Sequence, residues 1–182
     1  MADLIFITGG ARSGKSDYAL RRAEALPGAH YFIATCPVID PEMEERIARH
    51  RRERQGGMWT TVEEETELTA VLRSLESGAV CLIDCLTLWI NNLMYRAEKT
   101  NTPFTEDEMI HRAHGLVNAV NEFQGTVICV SNEVGLGVVP DNAAARKYRD
   151  LVGRSNGIVA ASAGEAVFVS CGLPLFLKGQ PQ

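Results

Sequence analysis

The sequence predicts an α/β fold in which helices cover both faces of a mostly parallel central sheet. Short apolar runs alternate with longer segments whose apolar residues recur at helical spacing. The short runs are apolar throughout rather than at every second position, which is typical of strands buried on both faces. No linker, internal repeat or change of composition divides the 182 residues, so we expect one domain spanning residues 1–182.

The apolar runs predict five central strands and a short edge strand. In chain order they are Leu4–Thr8, His30–Ala34, Ala79–Asp84, Thr126–Val130, Ala166–Val169 and Leu175–Leu177. Six helices are expected between the strands, namely Lys15–Leu26, Pro41–Arg54, Glu67–Leu75, Leu86–Glu98, Asp107–Phe123 and Asn142 to about Ala163. Gly153 and Gly157 lower the helix propensity of the last segment and would allow a kink there.

Composition excludes several classes of protein. An apolar fraction of 46% and a charged fraction of 23% are those of a globular chain rather than a disordered one. No apolar run is long enough to span a bilayer, and the N-terminus lacks the features of a signal peptide. The five cysteines have neither disulfide nor metal-site spacing, which favours a reducing cytoplasm. A net charge of −5 argues against nucleic acid as a partner.

The clearest motif is a glycine loop between the first strand and the first helix. Residues 9–16 read GGARSGKS and match G-x-x-x-x-G-K-[ST] in the strand–loop–helix context that this motif requires. Its glycines allow successive backbone N–H groups to point at phosphate oxygens, and the helix N-terminus adds a positive dipole end. The residues expected to hold a nucleoside triphosphate are therefore Gly9, Gly10, Ala11, Arg12, Ser13, Gly14, Lys15 and Ser16. Lys15 can reach the terminal phosphates, and Ser16 can ligate Mg²⁺.

Two acidic residues follow predicted strands. Asp84 ends an apolar strand, which is where a carboxylate would meet Mg²⁺ or the nucleotide. The alternative is that Asp84 only caps the helix that follows. Glu133 follows the Thr126–Val130 strand and could bind substrate or polarise a hydroxyl, whereas Asn132 and Gly135 around it are also typical of a simple turn.

A histidine lies among arginines on the predicted Pro41–Arg54 helix. His50 shares the apolar stripe of that helix with Met43 and Ile47. Three interpretations remain open from spacing alone: a partly buried histidine on a charged helix, part of a nucleic-acid patch, or a nucleophile beside a bound nucleotide. The neighbouring arginines favour the third chemically, because they would lower the pKa of the imidazole and bind phosphates.

These motifs together resemble one family, the bifunctional adenosylcobinamide kinase/adenosylcobinamide-phosphate guanylyltransferases of cobalamin biosynthesis. The resemblance covers nearly the whole chain. It rests on GGARSGKS at 9–16, YFIAT at 31–35, RIARHR at 46–51, WTTVE at 59–63, DCLT at 84–87, NEVGLGVVP at 132–140 and GRSN at 153–156. The phosphate loop is common to many families, whereas its combination with Arg-His-Arg and the NEVGxGxVP segment is far more specific.

The resemblance implies two reactions at one nucleotide site. ATP or GTP first phosphorylates the hydroxyl on the aminopropanol arm of adenosylcobinamide. GTP then donates GMP to that phosphate through a covalent GMP–histidine intermediate, and the family's histidine matches His50. The resemblance also implies a three-layer P-loop NTPase fold of RecA-like type and a homotrimer. The metal ligands expected from the phosphate-loop chemistry remain Ser16 and Asp84.

Further site residues follow from the resemblance, position by position. The family's nucleotide-contacting turn matches Ala34, Thr35 and Cys36. The segment expected to lie against GTP is Arg51, Arg52, Glu53 and Arg54. Glu63 and Asp84 match acidic positions of the nucleotide site, and we favour Glu63 as the acceptor for the guanine N–H groups. Because His50 and the phosphate loop must serve one nucleotide, we expect the Pro41–Arg54 helix to shift when GTP binds.

Two other functions remain compatible with the motifs taken singly. One is a P-loop kinase of another small alcohol that forms no covalent intermediate. The other is a nucleotide-binding regulatory protein without transferase chemistry. Only the bifunctional enzyme requires His50 as a nucleophile.

Overall fold

The computed structural model of the chain describes residues 3–37 and 58–180. In those residues the strands are β1 (Asp3–Gly9), β2 (His30–Ala34), β3 (Trp59–Glu63), β4 (Val80–Asp84), β5 (Thr126–Asn132), β6 (Glu165–Ser170) and β7 (Leu173–Lys178). The helices are α1 (Lys15–Glu24), α2 (Leu68–Ser74), α3 (Leu86–Lys99), α4 (Glu106–Glu122) and α5 (Ala143–Ser162). The predicted Pro41–Arg54 helix lies outside the described residues.

The seven strands form one sheet in the order β3-β2-β4-β5-β1-β6-β7. Every pairing from β3 to β6 is parallel, and β7 returns antiparallel along β6. The predicted α/β class is therefore confirmed. One strand, β5, separates the strand before the glycine loop from the strand that ends at Asp84, as expected for a P-loop NTPase fold of RecA-like type.

The core lies on both faces of the sheet. Along β1, Leu4 and Phe6 contribute to one hydrophobic cluster, and Ile5 and Ile7 contribute to the other. Helices α2 to α5 cover the first face, and the buried alanines of α1 pack on the second. The uniformly apolar runs of the sequence are thus explained, because a strand between two helical layers has no face exposed to water.

Two details differ from the expectations. Strand β3 was not predicted, because its alternating, mostly exposed residues form no continuous apolar run at this edge of the sheet. The last helix runs uninterrupted from Ala143 to Ser162, so the kink that its glycines would allow does not divide it. Gly153 and Gly157 both lie on its exposed side.

The parallel register brings the carboxyl ends of the six strands β1 to β6 to one edge of the sheet. Gly9 is paired with Asn132, and Ala34 is paired with both Glu63 and Asp84. This carboxyl edge is where ligands bind in open parallel sheets. Among the described residues, no helix is long and apolar enough to cross a membrane.

Candidate nucleotide and catalytic site

The glycine loop curls around the side chain of Lys15. Helix α1 begins at Lys15, directly after Gly14, whose φ of 88° is left-handed and favours glycine. The Lys15 Nζ donates a hydrogen bond to the carbonyl oxygen of Gly10 at 3.1 Å, and the residue is only 9% exposed. The ammonium group therefore lies inside the curve of the loop, where phosphate oxygens would accept hydrogen bonds from it.

The turn between β6 and β7 packs against this loop. The backbone N–H of Gly172 donates to the carbonyl oxygen of Ser13 at 2.8 Å. A Cβ at position 14 would lie 3.1 Å from the Gly172 Cα, and a Cβ at position 9 would overlap the carbonyl oxygen of Val169. The glycines at 9 and 14 are thus required by close backbone packing as well as by the shape of the loop.

The loop also carries polar atoms that suit a phosphate and its metal. The hydroxyls of Thr8 and Ser13 are buried without a hydrogen-bond partner, so Ser13 has a donor available within the loop. The Ser16 hydroxyl and the Asp84 carboxylate are half-buried oxygen ligands of the type that Mg²⁺ prefers. Across residues 3–37 and 58–180, no cluster of three or more His, Cys, Asp or Glu side chains could hold a metal by itself. The Ser16 hydroxyl and the Asp84 carboxylate are the described side chains whose chemistry would fit a Mg²⁺ ion accompanying a nucleotide.

The end of β2 is fixed to the end of β4 by Thr35. Its hydroxyl accepts from the Cys85 N–H at 2.7 Å and donates to the Cys85 carbonyl at 2.8 Å. The Asn92 side chain on α3 donates to the Thr35 carbonyl at 2.8 Å. The Asp84–Cys85 peptide bond is cis. The predicted contact turn at Ala34, Thr35 and Cys36 is thus held directly beside Asp84.

Charges from both sides of the site act on Cys85. Burial raises the pKa of its thiol, the Asp84 carboxylate raises that pKa further, and the Lys15 ammonium and local hydrogen bonds lower it, leaving it at about 11. Lys15 and Asp84 therefore both lie within electrostatic range of Cys85. Asp84 stands about 10 Å from the loop strand along the sheet, since β4 is two strand spacings of roughly 4.8 Å from β1.

A second polar network fixes the end of β5, the strand next to the phosphate loop. The Glu133 N–H donates to the Gly9 carbonyl at 3.0 Å. On α5, Asn156 accepts from the Ser131 hydroxyl at 2.7 Å and donates to the Asn132 carbonyl at 3.1 Å. The Asn132 side chain donates to the Thr87 hydroxyl at 3.3 Å, which joins β5 to the start of α3. The acidic Glu133 is thus held at the edge of the phosphate loop.

Tyr148 completes this network from α5. Its hydroxyl donates to the Thr87 carbonyl at 3.1 Å. Burial raises the pKa of Tyr148 to about 12, so the phenol stays protonated and remains a donor at neutral pH. Sequence reasoning gave no role to Tyr148, Asn92 or Asn156, although Asn156 stands in the GRSN match to the family.

The structure brings together the phosphate loop, the 34–36 turn and Asp84, and it places Glu63 farther along the same edge. Glu63 is exposed at the end of β3, four strand spacings or roughly 19 Å from β1. The remaining predicted site residues, His50, Arg51, Arg52, Glu53 and Arg54, lie outside the described residues.

The network around Asn156 yields a prediction about stability. Asn156→Leu leaves the buried Ser131 hydroxyl and the Asn132 carbonyl without their partner, and each such group costs about 1–3 kcal/mol. We therefore expect urea denaturation to show a loss of about 2–5 kcal/mol in the free energy of unfolding. The matched control Asn118→Leu, at an exposed position of α4, should change it by less than about 0.5 kcal/mol. Equal effects of the two substitutions would contradict the role given to Asn156.

Comparison with known proteins identifies the family of the chain. Residues 5–177 match the family model described as cobinamide kinase / cobinamide phosphate guanyltransferase. The chain is 41% identical over 182 residues to the bifunctional adenosylcobalamin biosynthesis protein CobP of Pseudomonas aeruginosa, covering 100% of this chain and 99% of the relative. It is 36% identical to the proteins named CobU of Escherichia coli and Salmonella typhimurium, in each case over 96% of this chain and 99% of the relative. The chain therefore belongs to the cobinamide kinase / cobinamide phosphate guanyltransferase family.

Proposed function

We propose that this protein is a bifunctional transferase that phosphorylates adenosylcobinamide and then converts the product to adenosylcobinamide-GDP. The observation that carries the proposal is the phosphate loop closed around Lys15, in a chain whose family match runs from residue 5 to residue 177. The phosphate loop supports binding of a nucleoside triphosphate. The cobinamide acceptor is inferred from the description of the family. Both reactions would use the site around this loop.

In the kinase step, the chain positions a terminal phosphate and stabilises its charge. The loop N–H groups and Lys15 would bind the β and γ phosphates of ATP or GTP, and Ser16 and Asp84 would hold Mg²⁺. The bound Mg²⁺ would neutralise charge on the phosphate oxygens. The acceptor hydroxyl attacks the γ-phosphorus, the bond from that phosphorus to the nucleoside diphosphate breaks, and the hydroxyl proton leaves to a base. Glu133, fixed to the phosphate loop through its backbone, is well located to orient that hydroxyl.

In the guanylyl step, we propose His50 as the nucleophile. Its imidazole nitrogen attacks the α-phosphorus of GTP, a P–N bond forms, and pyrophosphate leaves. An oxygen of the corrinoid phosphate then attacks the same phosphorus, which releases His50 and yields adenosylcobinamide-GDP. Arg51, Arg52 and Arg54 would bind the triphosphate, Glu53 stands among them, and the 41–54 segment would move on GTP binding so that His50 reaches the α-phosphate.

We further propose that guanine is recognised at the β2–β3 side of the edge. Glu63 would accept from the guanine N1–H and N2–H groups, and the turn at residues 34–36 would lie under the ribose. Since Glu63 is about 19 Å from β1, the nucleotide would have to lie along the carboxyl edge, across the ends of β4 and β2. Such an orientation would pass directly over Asp84.

A homotrimer is part of the proposal. Its support in the fold is β7, an edge strand on which Leu173, Leu175 and Leu177 are 71%, 61% and 61% exposed. An exposed apolar edge strand is normally covered by another chain or protected by charge. Each subunit would contribute one domain of residues 1–182.

The activity is tested by product analysis with adenosylcobinamide, ATP, GTP and Mg²⁺. The wild-type protein should form adenosylcobinamide phosphate and then adenosylcobinamide-GDP, as followed by chromatography and mass spectrometry. Lys15→Ala should slow phosphorylation about 100- to 1,000-fold, because it removes a charge that acts on the transferred group. Lys99→Ala, at an exposed site on α3, is the matched control and should retain full activity. Absence of both products from the wild-type reaction would refute the proposed function.

The covalent intermediate is tested with GTP labelled at the α-phosphate. Wild-type protein should acquire a label that is labile in acid and stable in base, as a phosphoramidate is. His50→Ala should acquire none, whereas His111→Ala, at an exposed histidine on α4, should be labelled like the wild type. Unlabelled wild-type protein that still forms adenosylcobinamide-GDP would exclude the intermediate.

The assembly is tested by light scattering coupled to size exclusion. Three copies of the 19.9 kDa chain predict a mass of about 60 kDa. Leu175→Lys would place a charge on the exposed face of β7 and should reduce that mass. A wild-type mass near that of one chain would contradict the trimer.

A further inference from the structure

The segment that joins β5 to α5 exposes an unusual number of apolar side chains. Residues 134–139 read VGLGVV and contain no polar side chain; we call them the apolar loop. Val134 packs against the core, whereas Leu136, Val138 and Val139 are 81%, 96% and 62% exposed. Connecting loops are normally polar on their outer side, and clustered exposed apolar residues mark binding surfaces.

Both ends of the apolar loop are fixed. Before it, the Glu133 N–H bonds to the Gly9 carbonyl in the phosphate loop, and the Glu133 carboxylate accepts from the N–H of Gly135. After it, Arg146 donates to the carbonyls of Pro140 and Asp141 at 2.9 and 2.7 Å. The apolar loop is therefore fixed at both ends by hydrogen bonds, and it exposes its apolar side chains at the carboxyl edge, next to the phosphate loop.

We propose that the apolar loop binds the corrin ring of the acceptor, an inference that rests on the proposed function. The acceptor hydroxyl must come within about 3–3.5 Å of a phosphorus held at Lys15. The large ring attached to that arm then has to lie against the surface that adjoins the phosphate loop. The periphery of a corrin carries many methyl groups, which Leu136, Val138 and Val139 can contact with loss of exposed apolar area on both sides.

The chemistry of the loop favours this occupant over the alternatives. A nucleotide would require donors and acceptors, and the side chains of residues 134–139 offer none. Contact between copies of the chain already has a candidate surface in the leucines of β7, on the far side of β6 from the phosphate-loop strand. The corrin ring is the large group that the proposed reaction must bring to this edge, and the methyl groups between its amide side chains are the part that the loop would contact.

The test is the double variant Leu136→Ser/Val138→Ser. Equilibrium dialysis, read from the visible absorbance of cobinamide, should show the Kd for cobinamide raised about tenfold or more, because apolar contact area is lost. The KM for cobinamide in the kinase assay should rise by a similar factor, while the Kd for GTP and the mass of the assembly stay unchanged. Tyr95→Ser, at an exposed aromatic on α3 with 58% exposure, is the matched control and should leave cobinamide binding unchanged.

Three results with the variants would overturn the inference about the apolar loop. An unchanged Kd for cobinamide in the double variant would overturn the inference, as would an equal loss of binding in Tyr95→Ser. A lower assembly mass in the double variant would mean that the apolar loop contacts another copy of the chain, and that result would also overturn the inference. Wild-type protein that binds cobinamide through this loop but forms no product would refute the proposed activity while supporting the binding site. Wild-type protein that binds no cobinamide would refute both.

Discussion

The hydrogen bond from the Gly172 N–H to the Ser13 carbonyl joins the two ends of the chain at the functional edge. On one side of it lies the phosphate loop, whose left-handed Gly14 turns the backbone into α1 and directs Lys15 inward. On the other side lie the end of β6 and the β6–β7 turn, where the Val169 carbonyl approaches Gly9 and the Gly172 Cα approaches Gly14. The shape of the phosphate loop is therefore set by tertiary packing as well as by its own sequence.

Parallel register supplies the rest of the site. Because β1 to β6 all run the same way, Gly9, Ala34, Asp84 and Asn132 end at one edge although they are far apart along the chain. Thr35 and Asn156 then fix neighbouring strand ends to each other and to the helices. The strands in residues 3–37 and 58–180 form a single sheet. The proposed kinase and guanylyl steps are both assigned to this one edge.

Much of this arrangement could be predicted from local sequence. The runs around Ile5, Ile33 and Leu82 identify central strands because burial on both faces leaves only apolar residues there. GGARSGKS identifies the phosphate loop because few other backbone shapes need two glycines and a lysine at that spacing. In both cases the physical constraint acts within about ten residues, and it is therefore visible in a short stretch of sequence.

The strand and the side-chain contacts that local sequence does not predict depend on residues far apart along the chain. Strand β3 is held by its pairing with β2 rather than by an apolar pattern of its own. Asn92, Tyr148 and Asn156 act on backbone or hydroxyl groups 57, 61 and 25 residues away, and their own neighbours in sequence give no sign of it. His50 was chosen among three interpretations by family resemblance, because helical spacing alone is the same for a core histidine and a nucleophile.

The packing of the β6–β7 turn on the phosphate loop has a consequence for biosynthesis. The β6–β7 turn that supports the phosphate loop is translated about 155 residues after the loop itself. A nascent chain that already carries the whole motif therefore still lacks Gly172, which packs against the loop, and strand β6, which pairs with β1. The packing that fixes the phosphate loop can therefore form only after residue 172 has been translated.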